Sequence, residues 1–122
     1  TSRQGSDALL LRYTLALKAM NSPELAAHVE QLRARFAASQ LRGDRVHQRE
    51  QARFTLELLG DPQAALTLAR ENWTVQKELP DLRLLVETSL ATRDLATLAS
   101  ARQWLAQARS EDVVINRLLR QD

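Results

Sequence analysis

The chain has 122 residues, a length that suits one domain and lets roughly two thirds of the unfolded surface be buried. Apolar residues make up 44% and charged residues 26%, while Gly and Pro number only three each, so a turn-rich β protein is excluded and the strong helix formers Ala, Leu, Arg, Gln and Glu dominate. The chain lacks cysteine, which excludes disulfides, thiolate metal sites and a cysteine nucleophile, and its net charge is only +2.

The first periodic segment runs from about Asp7 to Met20. Ser6 or Asp7 can cap it, and Leu9, Leu10, Tyr13, Leu17 and Met20 recur at helical spacing. Asn21-Ser22-Pro23 ends it, with Ser22 suited to cap the next helix and Pro23 to fill its first position. In that second helix Leu25, Val29, Leu32 and Phe36 form an apolar stripe, and Arg42-Gly43-Asp44 closes it with a glycine suited to the left-handed cap. A third helix follows Asp44 and runs to Leu59, carrying Val46, Ala52, Leu56 and Leu59.

Gly60-Asp61-Pro62 repeats the stop-and-start chemistry. The fourth helix, with Ala65, Leu66, Ala69 and Trp73, ends near Leu79; Pro80-Asp81 opens a fifth with Leu82, Leu85, Val86 and Leu90. Arg93-Asp94 marks another turn before a sixth holding Leu95, Leu98, Trp104 and Leu105. Ser110-Glu111-Asp112 reads as the cap of a short seventh helix through Val114, Ile115, Leu118 and Leu119. No segment alternates with period two over a useful length. Links this short make neighbouring helices pack antiparallel.

The turns at Asn21-Ser22-Pro23-Glu24, Gly60-Asp61-Pro62-Gln63 and Arg93-Asp94-Leu95-Ala96 recur at spacings near the 34-residue period of tetratricopeptide repeats. One helix pair cannot bury its own stripe, so pairs stack into a shared core. The stretch Gly60 to Ala69 resembles the turn and second helix of such a repeat, with Ala65 and Ala69 in its packing slots and Ala52 and Leu56 in those of the preceding helix. The pattern departs at Arg49, where the family favours Trp, and at Arg53, where it favours a small residue. In the third unit Val86 replaces that small residue and Arg102 an aromatic.

The whole chain is also similar to the C-terminal part of longer bacterial tetratricopeptide proteins, some of which carry export signals, most of all from Arg42-Gly43-Asp44 through Arg70-Glu71-Asn72-Trp73. The resemblance implies an all-α, right-handed α-solenoid of about three antiparallel helix pairs, in units 7–42, 45–79 and 80–109 with a capping helix at 111–120. It further implies a piece of a larger array whose other repeats lie upstream, and a start at Thr1 rather than Met fits an excised piece. The arginine bias, 15 Arg against Lys18 and Lys77, fits a GC-rich bacterial genome, and the compartment is left open between cytoplasm and periplasm.

The sequence holds no catalytic constellation, so no enzyme and no cofactor is expected. His28 and His47 lie 19 residues apart and match no close metal-ligand pair, and no phosphate-binding glycine loop or nucleophile elbow occurs. Glu50 and Glu57 stand two helical turns apart, about 10 Å, near the separation of an inverting glycosidase's carboxyl pair, with nothing else to support that chemistry. No run approaches the roughly 18 apolar residues of a membrane helix.

Six arginines (33, 35, 42, 45, 49, 53) against Asp44 and Glu50 put +4 between Gln31 and Arg53, leaving −2 on the rest. This basic cluster supports an alternative reading, a surface for nucleic acid or another polyanion. With only five aromatics, most of them on apolar stripes, the stacking platforms of sequence-tolerant nucleic-acid binding are lacking. The favoured reading is a non-enzymatic module that binds a protein or peptide on a concave face. Aligning the units by their turns places Leu11, Leu15 and Lys18 there, then His47, Glu50, Phe54 and Glu57, then Arg83 and Glu87. Phe54, flanked by charge, either anchors a bound peptide or packs on the neighbouring pair. Glu50 and Phe54 stand where relatives that clamp a peptide carboxylate carry polar or basic residues, which disfavours that mode.

Overall fold

A computed structural model describes residues 3–44 and 47–120, with side chains from Ala8 onward. Six helices form it: α1 (Arg3–Ala19), α2 (Leu25–Leu41), α3 (Gln48–Glu57), α4 (Pro62–Trp73), α5 (Leu79–Thr92) and α6 (Leu95–Arg120). No strand occurs among the described residues, and no helix among them is long and apolar enough to cross a membrane.

Turn chemistry sets most of the boundaries. Gly43 and Gly60 take the left-handed conformation (φ 71° and 66°) that stops a helix at little cost to a residue without Cβ. Asp61 Oδ1 then accepts the Ala64 N–H at 3.1 Å while Pro62 opens α4. Arg93 ends α5 in the same left-handed region (φ 59°) without glycine's freedom. Asp94 follows it as the cap of α6, accepting from Thr97 N at 3.1 Å and Thr97 Oγ1 at 2.8 Å. At the start of α5 the Asp81 carboxylate reaches back to the Glu78 N–H at 3.0 Å.

Several boundaries depart from the sequence reading. α1 is already helical at Arg3, so Ser6 and Asp7 lie inside it rather than at its cap. α2 begins at Leu25, because Ser22-Pro23-Glu24 forms a turn in which Ser22 Oγ accepts from Glu24 N at 3.2 Å. α3 is shorter than expected, and Arg45 and Val46 lie outside the described residues. The expected short seventh helix is absent as a separate element: α6 continues unbroken for 26 residues. Ser110-Glu111-Asp112 contains neither Gly nor Pro, so nothing there interrupts the backbone hydrogen bonds.

α1 packs on α2, α3 on α4, α4 on α5 and α5 on α6; α3 also meets both α1 and α5. Two apolar clusters result. Leu11, Leu32, Phe36 and Phe54 join α1, α2 and α3, and Ala52, Ala69, Leu82, Leu84, Leu85 and Ala101 join α3 to α6. The alanines let helix axes approach closely, while Trp73 and Trp104 close one end edge-to-face at 5.1 Å between ring centres. Small hydroxyl residues are buried as well. Thr14, Thr55, Thr88 and Ser89 each donate to a carbonyl one turn back, so their burial leaves no unmet donor.

α1 is rotated from the face its spacing suggested. Leu11, Thr14 and Leu17 are buried, whereas Leu9, Tyr13 and Met20 are exposed. The helix carries two apolar faces, and α2 and α3 cover only one of them.

Phe54 is 2% exposed and its ring lies 5.3 Å from that of Phe36. Phe54→Ala should therefore cost about 3–5 kcal/mol in urea unfolding; a loss under about 1 kcal/mol would show that the ring is not part of the core. Thr97 holds the Asp94 carboxyl below the usual carboxylate range, through its backbone N–H first and its hydroxyl second. A carboxyl pKa lowered by folding stabilises the fold above its unfolded pKa, and that contribution is lost as pH falls through the folded value. Asp94→Ala should lower Tm at neutral pH, and the difference from wild type should shrink in that acidic range. A difference independent of pH would remove the carboxylate from the account.

Candidate functional site

The polar chemistry of the molecule concentrates where α1, α3 and α5 lie against one another. Arg49 and Arg53 stand one turn apart on α3 and both reach α5. Arg49 lies 3.4 Å from both carboxylate oxygens of Asp81 and 3.9 Å from Glu78. Arg53 pairs with Glu87 on α5 and lies 3.7 Å from Glu57 on its own helix. On the other side Lys18 Nζ donates to the Glu57 backbone carbonyl, a cation placed at the negative end of the α3 dipole.

Asp81 is the deepest charge in this seam. Its side chain is fully buried and also accepts from Asn72 Nδ2 at 2.7 Å. Arg49, Asn72 and the Glu78 N–H together replace the water the carboxylate gives up, as a buried charge requires. The half-exposed Arg53–Glu87 pair is worth under about 1 kcal/mol, so it fixes the register of α3 on α5 more than it stabilises the fold.

A cavity of about 300 Å³ opens between α1, α3 and the start of α5. Ala8, Leu11, Leu15 and Pro80 form its apolar wall, and Arg12, Arg49, Glu50 and Arg53 its polar one. Two of these polar groups are unspent. Glu50 Oε2 is buried without a hydrogen-bond partner, and Arg12, exposed, makes no ion pair with a described residue. A donor brought to Glu50 and an acceptor brought to Arg12 would each gain a partner there.

The residues expected on a concave face divide accordingly. Glu50 lines the cavity; Lys18, Glu57 and Glu87 belong to the seam beside it, already engaged with protein groups. Arg83 is exposed on α5. Phe54 is a core residue packed on Phe36, the second of its two readings, and so is no anchor on an open face. His47 is likewise buried, with Nε2 3.6 Å from the Asp44 carboxylate, and so is withdrawn from any open surface. Phe54 is enclosed because α3 meets three other helices and, through the Phe36 ring, α2 as well, leaving it little free face.

The sequence reading missed Asp81 and Asn72, because a turn aspartate and a helical asparagine look like surface residues until a third element covers them. The Arg for Trp exchange at position 49 was the available signal. An arginine in a packing slot needs a buried counter-charge. The basic cluster does not stay free either: Arg33 pairs with Glu30 at 3.2 Å, Arg42 donates to Ser39 Oγ at 3.4 Å, and Arg49 and Arg53 turn to α5. Arg45 lies outside the described residues.

Comparison with protein-family models, with curated proteins and with solved structures finds no match.

Asp81→Ala should cost about 3 kcal/mol in urea unfolding, because it strands Asn72 and the Arg49 guanidinium. Glu87→Ala should cost under about 1 kcal/mol. Equal costs for the two would refute the division between a buried linchpin and a half-exposed register contact.

Proposed function

We propose that the chain is a non-enzymatic helical-repeat module of tetratricopeptide type, a right-handed α-solenoid that binds a segment of another protein in the groove between α1, α3 and α5. What carries this reading is the pairing, within one cavity, of an apolar wall with two unspent charges of opposite sign, Arg12 and Glu50. An extended peptide presents just this chemistry, with backbone N–H donors, carbonyl or carboxylate acceptors and side chains for an apolar wall. The contacts of α3 with both α1 and α5 suit a stack in which first helices of successive pairs line one face.

The same proposal extends to the position of the chain in a longer array. Leu9, Tyr13, Ala16 and Met20 are exposed and fall at i, i+4, i+7 and i+11, a second apolar stripe on α1 that meets the described helices only where the Tyr13 ring stands edge-to-face on His28 of α2, 5.1 Å between ring centres. Upstream repeats of the same protein would cover it.

The test is selection of binders from a displayed random-peptide library, followed by calorimetry on the peptides recovered. Arg12→Glu and Glu50→Gln should each weaken binding about tenfold or more, with Tm unchanged, and the peptides should perturb the amide resonances of α1 and α3. Recovery of no peptide, or of peptides indifferent to both substitutions, would sink the groove as the site.

A further inference from the structure

The side chains lining the groove between α1, α3 and α5 offer more donors than acceptors. A guanidinium spreads its N–H groups over Nε, Nη1 and Nη2. Towards described residues Arg49 uses Nη1 alone, for both Asp81 oxygens and for Glu78. Arg53 also uses Nη1 alone, for Glu87 and Glu57. The Nη2 and Nε groups of both arginines are therefore unpaired among the described residues, on side chains that line the cavity and are 28% and 21% exposed. Arg12 brings a third guanidinium from α1 and makes no ion pair with a described residue. Against these three stands one lining carboxylate, that of Glu50.

The α1 wall points the same way. It carries Arg12 and Lys18, and no acid occurs between Ala8 and Ala19. Asp81 and Glu87 offset the charges of Arg49 and Arg53, but they leave the remaining N–H groups to be met. An oxyanion suits such donors best, because each of its oxygens accepts more than one N–H and its geometry matches the guanidinium fork. A cationic group entering the cavity would face three arginines for one carboxylate.

We propose that the segment bound in this groove is acidic, and that it sets an internal Asp or Glu side chain among Arg12, Arg49 and Arg53 with an apolar neighbour on Leu11, Leu15 and Pro80. This specificity rests on the groove being the binding site and names what it selects. Glu50 accepts a backbone N–H of the same segment, so the two signs in the cavity serve different parts of the ligand. The acid lies within the segment rather than at a chain end, which separates this mode from capture of a terminal carboxylate.

The probe is a displayed library of short peptides whose central residue is fixed as Asp, Ala or Lys, sorted on the whole chain. Asp-centred peptides should be enriched about tenfold or more over Ala-centred ones, with Lys-centred ones lowest. Their affinity should fall as salt is added, and amidating their C-terminus should leave Kd unchanged. Arg12→Glu should turn the preference towards Lys. Arg53→Lys keeps a cation for Glu87 but removes the spare guanidinium donors, and it should weaken Asp-centred binding several-fold more than Ala-centred binding, at unchanged Tm. Three outcomes would overturn the acidic specificity while leaving the groove as the site: binding with no preference among the three pools, a preference that Arg12→Glu does not alter, or binding that needs a free C-terminal carboxylate. Recovery of no peptide from any pool would remove the groove and the specificity together.

Discussion

A ten-residue helix that packs on three others keeps almost no face for water, and α3 is placed that way. Ala52 belongs to one apolar cluster and Phe54, two residues on, to the other, so the two halves of the core meet through this one short helix. Such a helix is too short to be stable by itself. It depends on α1, α4 and α5, and they in turn depend on it for a common register. A change at Phe54 is for that reason felt in both halves, whereas a change on α6 beyond Arg109 leaves the core untouched.

The same constraint explains the polar seam. A helix enclosed on most sides must send its charged side chains along the contacts rather than out into solvent, and Arg49 and Arg53 lie towards α5 for this reason. Burying an arginine's partner is costly unless its remaining lone pairs are met. Asp81 meets that condition through Asn72 and the Glu78 N–H. One carboxylate therefore both shapes the start of α5 and locks that helix to α3. Local capping and long-range registry are served by the same atoms.

The turns between helices were legible from the residues, although the starts of α1 and α2 and a break at Ser110 were misplaced. Gly43, Gly60, Asp61-Pro62 and Asp94 act through backbone conformation and side-chain caps, which depend only on near neighbours. Which face of each helix is buried was legible only where neighbours lie on both sides. At α1 the spacing offered two apolar faces, and only the arrival of α2 and α3 chose between them. Phe54 was ambiguous for a related reason, since a phenylalanine among charges looks the same whether those charges face water or a neighbouring helix. Asp81 and Asn72 were out of reach, because their roles arise from α3 passing over α5. The Glu50 and Arg12 pair falls between these cases: both residues were visible, but their place in one cavity comes from the meeting of α1 with α3.

The two ends of the molecule raise one further physical point. Apolar side chains left in water at the first and last helices contribute nothing to folding, yet both are spaced as if to be buried. The stripe of α1 runs the length of a helix whose opposite face is in the core, and its accompanying charges are of one sign. The overhang of α6 leaves the core altogether, and its charges divide by sign along the axis. A uniformly basic face favours an acidic neighbour and resists its own copy. The two uncovered surfaces are therefore not interchangeable: the first lies on a helix already fixed in the core, the second on a helix that has left it.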